Sequence, residues 1–176
     1  MKRVVISGLI CMAILFELLT FACCGVKNAR LQVVLTDYAA VLESNGLDGL
    51  RLSVYYIDPS ILTRFPLTEE RLLSFESVQR FDVDNAQLLQ NIELLKTINA
   101  EEMTPVSNTS VLDARLCCIF ESDRAGQILR LTLGGKDNSI FVNEVEVENY
   151  ELLRDLIAAF ASEETMRVLV HYFDKE

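Results

Sequence analysis

L-D-A-R-L-C-C-I-F-E-S-D-R-A-G-Q-I-L-R-L-T-L, residues Leu112 to Leu133, decides the fold class. Leu112, Ala114, Leu116, Cys118 and Phe120 alternate with Asp113, Arg115, Cys117, Ile119 and Glu121. Successive side chains of an extended chain point to opposite faces, so this period-two pattern predicts a strand whose first set turns toward a core. Asp123 to Gly126 supplies a turn, and residues 127–133 return with Leu129, Leu131 and Leu133 on one face. The two strands form a hairpin.

Downstream the antiparallel theme continues. Residues 134–138 make a turn, 139–142 a strand, and Asn143-Glu144 a tight reversal into 145–148. Asn149 then caps a helix carrying Leu152, Leu153, Leu156, Ile157 and Phe160, and Ser162 opens a last helix with Met166, Leu169, Val170 and Phe173 as its apolar set.

Upstream, residues 99–110 read as a loop containing Pro105. Before them Asp84 caps a helix whose Leu88, Leu89, Ile92 and Leu95 form an apolar stripe reaching Ile98. Residues 78–83 are a short strand, and 66–75 a helix with Thr68 as N-cap and Glu69 and Glu70 in its first turn, where carboxylates suit the positive end of the dipole. Residues 50–57 alternate as a half-buried strand that Asp58-Pro59 ends. Residues 29–44 place Leu31, Val34, Leu35, Tyr38, Val41 and Leu42 at helical spacing, and Asn45-Gly46 stops that helix. The expected fold is α+β, a mostly antiparallel sheet with amphipathic helices packed on one face, in a single domain over 26–176.

Residues 1–25 have a different character. Lys2 and Arg3 precede an apolar run from Val4 to Phe16, which ends near Ala22, Cys23 and Cys24, the three-part grammar of a signal peptide. Cys23, after the small Ala22, is the candidate lipid acceptor, although Thr20 and Phe21 do not match the usual Leu-type residue upstream. Cleavage without lipid and a retained membrane helix are the alternatives. Glu17 argues against a spanning helix, since a carboxylate in hydrocarbon costs about 2.5–3.5 kcal/mol on insertion scales. Each reading places residues beyond about 26 outside the cell or on the outer face of a membrane.

The chain carries 16 basic and 26 acidic residues, net −10, and setting aside Lys2, Arg3 and Glu17 leaves the remainder one unit more negative. Such a surface repels phosphate backbones, so no nucleic-acid partner is expected. None of the five cysteines has zinc-site spacing, and Cys117 and Cys118, neighbours on a strand, point apart. No metal and no cofactor is expected.

At L-R-L-S-V-Y-Y-I-D-P-S-I-L-T-R-F-P-L-T-E-E-R-L-L, the helix I-E-L-L-K-T-I, the strand D-A-R-L-C-C-I-F-E and the turn S-I-F-V-N, the chain resembles a family of short lipoproteins of Gram-positive gut bacteria that carry a domain of unknown function. The resemblance covers about residues 37 to 173. It implies a location and a domain extent; that family has no established activity to carry over. Glu144 stands where Gly is expected after Asn143.

Candidate chemistry is sparse, and no catalytic residue is assigned. His171, the sole histidine, lies opposite the apolar set of the last helix, and Asp82-Val83-Asp84-Asn85 lacks the glycine and further ligands of a calcium loop. Gly134-Gly135-Lys136 has neither the spacing nor the following helix of a phosphate loop, and Asn108-Thr109-Ser110 is a glycosylation sequon. Cys118 belongs to the core set, whereas Cys117 faces the other way and is the candidate reactive thiol. One constellation stands out: the non-core sheet face carries Arg51, Ser53 and Tyr55 on one strand, Arg115 and Cys117 on a second, Arg130 and Thr132 on a third. Arg51, Arg115 and Arg130, with Tyr55 as a flat wall, form a candidate site for a small anionic ligand or acidic peptide. Ordinary cross-strand pairing with Glu121 or Asp113 is the alternative. The leading expectation is a non-catalytic binding or structural domain tethered to a membrane by lipid or an N-terminal helix. An exported enzyme using Cys117 or an acidic pair, and an accessory protein docking through the helix near Ala29, are the competing ones.

Overall fold

A computed structural model describes residues 26–43, 49–106, 110–134, 139–148 and 150–173. The N-terminal stretch with Cys23, the Asn45-Gly46 stop, the Asn108 sequon, residues 135–138 and the Asn149 cap lie outside the described residues.

A helix α1 over 26–43 leads into β1 (Arg51–Tyr56), α2 (Glu69–Leu73), β2 (Gln79–Val83), α3 (Asn85–Gln90), α4 (Ile92–Lys96) and β3 (Thr104–Pro105). Then follow β4 (Ala114–Ser122), β5 (Gly126–Gly134), β6 (Ile140–Val142), β7 (Val145–Glu148), α5 (Tyr150–Phe160) and α6 (Glu163–Phe173). The strands form one seven-stranded sheet in the order β2-β1-β4-β5-β6-β7-β3, every neighbouring pair antiparallel. The fold is α+β, as the alternation of 112–133 predicts.

One face of the sheet carries the main core. Leu52, Val54, Leu116, Cys118, Phe120, Leu129, Leu131 and Leu133 meet Leu31, Leu35 and Tyr38 of α1, Leu88 of α3, Leu95 of α4, Leu153, Leu156 and Ile157 of α5 and Leu169 of α6. Tyr38 packs edge-on to Phe120 with ring centroids 5.6 Å apart. The stripe from Leu88 to Ile98 breaks into two helices at Asn91, whose φ of −113° and ψ of 26° leave the helical region; the break leaves Leu89 exposed. Asp84 builds the expected start of α3 as a full capping box with Gln87.

The reverse face is also covered. Ile57, Leu67, Leu72, Ala114, Cys117 and Ile119 form a second, smaller core beneath the segment that joins β1 to β2 and contains α2. Two differences from the sequence pattern follow. A register irregularity between Ala114 and Leu116 moves Ala114, and Leu112 with it, out of the main core set onto the reverse face. Cys117 is fully buried because α2 and its flanking loops lie over it, which corrects the expectation of an exposed thiol.

Carboxylates pin these covering segments down. Asp113 accepts from Leu67 N at 2.8 Å and from Arg115 Nη2 at 2.6 Å. Glu146, buried on β7, accepts from both the backbone and the hydroxyl of Ser110. The chain from 99 to 110, expected as loop throughout, contributes the edge strand β3, whose two residues pair with Glu148 and Val147. That strand is too short to leave a periodic signal.

Candidate functional site

β5 places Arg130 on the reverse face, at the end of the sheet where β6 turns into β7. Its Nη1 donates to Glu69 Oε2 and its Nη2 to Gln127 Oε1 at 2.8 Å. Its backbone N–H donates to Asn143 Oδ1 at 2.7 Å, while Asn143 N–H donates back to Arg130 O at 3.0 Å. Glu69 is only 4 % exposed. Thr68 caps α2 by accepting from Arg71 N–H, and this short helix lowers Glu69 onto the sheet, where Thr132 Oγ1 donates to its Oε1 at 2.6 Å. The carboxylate thus receives a charged and a neutral donor, the pairing a buried anion requires. Burial pulls the Arg130 guanidinium down, but the bond to Glu69 and its charge outweigh that and hold it above its ordinary value.

Above this pair opens a cleft of about 220 Å³ lined by Arg30, Glu69, Gln127, Arg130, Asn143 and Glu144. Arg30 comes from α1 and bonds Glu144 at 3.1 Å across the rim. Two arginines, two carboxylates and two side-chain amides therefore converge on a small volume in a chain of net charge −10. Arg130 Nε is buried with no hydrogen-bond partner, a donor left over after both Nη atoms are used. Asn143 and Glu144, the two turn residues, have φ of 44° and 72°. This positive-φ pair is what a two-residue hairpin demands, and it turns Glu144 toward Arg30.

The other arginines of the proposed constellation do not join Arg130. Arg51 bonds Asp123 at 3.0 Å on the open surface. Arg115 is spent on Asp113, on Ile61 O at 3.2 Å and on Thr63 Oγ1 at 2.9 Å, clamping the segment after β1. Tyr55 is half-buried and has the Arg80 guanidinium 5.1 Å over its ring, so its flat face is already occupied. Each arginine has an acid of its own; for Arg51 and Arg130 that acid is Asp123 and Glu69, contributed by elements that cross-strand pairing would not name.

Cys117 Sγ lies 3.6 Å from Thr132 Oγ1, and burial pushes the thiol up to about 11, with Thr132 opposing that shift and Glu69 adding to it. A thiol held neutral in a closed core is a poor nucleophile. His171 is exposed on α6 beside Asp58, Ser60 and Arg167, around a cleft of about 450 Å³. Ser60 Oγ donates to Asp58 Oδ1 at 2.6 Å and not to the imidazole, so no nucleophile-to-base relay is formed there. A further cleft, of about 520 Å³ between α4 and α5, is acidic, with Glu93, Glu102, Glu151 and Asp155 against Lys96. Among the described residues no group of histidine, cysteine and carboxylate side chains has metal-site geometry, and no helix is long and apolar enough to cross a membrane.

Of the six residues that line the cleft above Arg130 and Glu69, sequence reasoning named only Arg130 as a site residue; Arg30, Glu69, Gln127, Asn143 and Glu144 were missed. Glu69 reads as an ordinary first-turn carboxylate until α2 is seen to lie on the sheet; Glu144 carried a signal, as the residue standing where glycine is expected. No family model, no curated protein and no solved structure matches the chain.

Proposed function

We propose that the chain is an exported domain held at the outer face of a membrane through its N-terminal stretch, and that it binds a small anionic ligand or a partner there without catalysing a reaction. The observation that carries this reading is the positively charged and then apolar run of residues 2–16, leading to Cys23 only a few residues before α1, which is already helical at residue 26. So short a connection keeps the domain close to its point of attachment. Arg30, near the start of α1, lines the cleft with Arg130. The resemblance to short lipoproteins of Gram-positive gut bacteria belongs to the same reading.

The cleft supports binding through the exposed Arg30 guanidinium and its two side-chain amides. At about 220 Å³ it is smaller than the ~300–1,000 Å³ of sites for drug-sized ligands. It suits a compact carboxylate-bearing molecule.

Two measurements test the proposal. Intact mass and membrane fractionation of the native protein should give either a chain beginning at acylated Cys23 or a membrane-bound chain that keeps residues 1–25; an unmodified soluble product refutes the tether. Titrating the full chain with succinate, with inorganic phosphate as a control, should shift the NMR signals of Arg130 Nε–H and the Asn143 amide. Arg30→Gln with Gln127→Ala should abolish the shift. No shift in the parent protein refutes the anion site.

A further inference from the structure

The two edges of the sheet are built differently. β3 is two residues long and contains Pro105, which has no N–H to offer, so that edge cannot template another strand. β2 has five residues, Gln79-Arg80-Phe81-Asp82-Val83, with no proline and an unbroken register against β1. It stands at the end of the sheet with only β1 beside it among the described strands. Gln79, Arg80 and Asp82 are exposed, so nothing described lies over this edge.

Natural edges of this length carry repelling charges, bulges or proline to block self-association. The charges on β2 do the opposite. Take an antiparallel pairing of β2 with β2 of a second copy, centred on Phe81. Phe81 then faces Phe81, Arg80 faces Asp82 of the other copy, and Asp82 faces its Arg80. A twofold axis perpendicular to the sheet keeps matching faces together, so both Arg–Asp pairs fall on the reverse face and the phenylalanines on the helix-covered face. The side chains are set for this. Arg80 and Asp82 are held on the reverse face by Arg80 Nε and Nη2 bonds of 2.9 and 2.6 Å to Asp82 Oδ1, by Ser53 Oγ at 2.7 Å to the same oxygen, and by the Tyr55 ring. Those bonds all converge on Oδ1. Phe81, half-buried, packs edge-on to Tyr56 with centroids 6.3 Å apart, which presents a flat apolar side chain at the centre of the strand.

The geometry points to β2 as a homodimerisation edge: two copies of this chain pair antiparallel through Gln79–Val83 and join their sheets into one, with Arg80 and Asp82 as reciprocal partners. This goes beyond the binding reading and does not depend on it. A single five-residue pairing buries less than the ~1,200 Å² of a standard stable interface, so the association is concentration-dependent and is best read by trapping.

The test uses the full-length protein with Phe81→Cys under mild oxidation. Position 81 faces itself across the axis at ~5 Å between Cβ atoms, within reach of a disulfide. Gln79→Cys, two positions away, faces position 83 and is separated from its own copy by ~13 Å. Disulfide-linked dimer is expected from Phe81→Cys and not, above the parent background, from Gln79→Cys. Adding Arg80→Asp should lower the yield about tenfold, because like charges then face each other at both symmetric positions. Arg80→Asp with Asp82→Arg should restore it. Equal yields from positions 79 and 81, or indifference to Arg80→Asp, would overturn the proposal. Hydrogen exchange of the unmodified protein covers the case in which Phe81→Cys disturbs folding: protection of the 79–83 amides that rises with concentration supports the pairing, and protection that does not change overturns it.

Discussion

Glu144 occupies the second central position of the β6–β7 turn at φ 72°, where a side chain costs about 1–2 kcal/mol that glycine avoids. Its bond to Arg30 joins two side chains that are both more than half exposed, a kind of pair worth little. Glu144→Gly is therefore expected to stabilise the fold by about 0.5–1 kcal/mol, seen as a higher urea midpoint at unchanged slope. A lower midpoint would show that the Arg30 contact outweighs the strain. Cys117 makes the opposite point, that of a reactive group made inert by its surroundings. Its folded-state value of about 11 lies above the ordinary 9.0, chiefly through burial. The neutral thiol therefore contributes stability that is complete below pH 9 and is lost as the pH rises through about 11. Cys118, also fully buried, is shifted in the same direction. Denaturant midpoints measured between these pH values should fall for the parent chain and fall less for Cys117→Ala, and the native protein should resist iodoacetamide at both thiols until unfolded.

Among the elements, the segment between β1 and β2 depends least on its own secondary structure and most on side chains from elsewhere. α2 is five residues long, too short to be stable alone. It is held by Asp113 on Leu67 N–H, by Ala114 N–H on Leu67 O, by Arg115 on Ile61 and Thr63, and by Glu69 on Arg130 and Thr132. Asp113→Ala removes an acceptor from Leu67 and leaves Arg115, 13 % exposed, without its carboxylate. The expected cost is about 2–3 kcal/mol, with faster tryptic cleavage after the exposed Arg64. Unchanged cleavage would place the hold on α2 in the apolar contacts of Leu67 and Leu72 instead. Sequence periodicity located α2 and its Thr68 cap, but not the face it covers. A helix of this length has no apolar stripe wide enough to choose between the sides of a sheet.

At the scale of the molecule, β4 and β5 lie at the centre of the sheet under helices on one side and the α2 segment on the other, while β2 and β3 lie at its edges. Amide exchange in dilute protein should follow that order, slowest in Ala114–Ser122 and Gly126–Gly134 and fastest in the edge strands, and a uniform profile would contradict it. The chain's own alternation and capping signals were enough to determine the α+β class, the hairpins from β4 to β7, the Asn143-Glu144 reversal and the helices after Asp84 and Ser162, because each rests on contacts between near neighbours. The signal-like stretch and the acidic charge are equally properties of the chain. What only the tertiary structure decided is which partners distant residues receive. Glu69 meets Arg130 across 61 residues and Arg30 meets Glu144 across 114, whereas Arg51, Arg115 and Arg130, aligned by alternation, are separated by the acids that reach each of them. Alternation tells which face a side chain takes. It carries no information about the segment that will fold over that face, and here that segment determines which arginine lines a cleft.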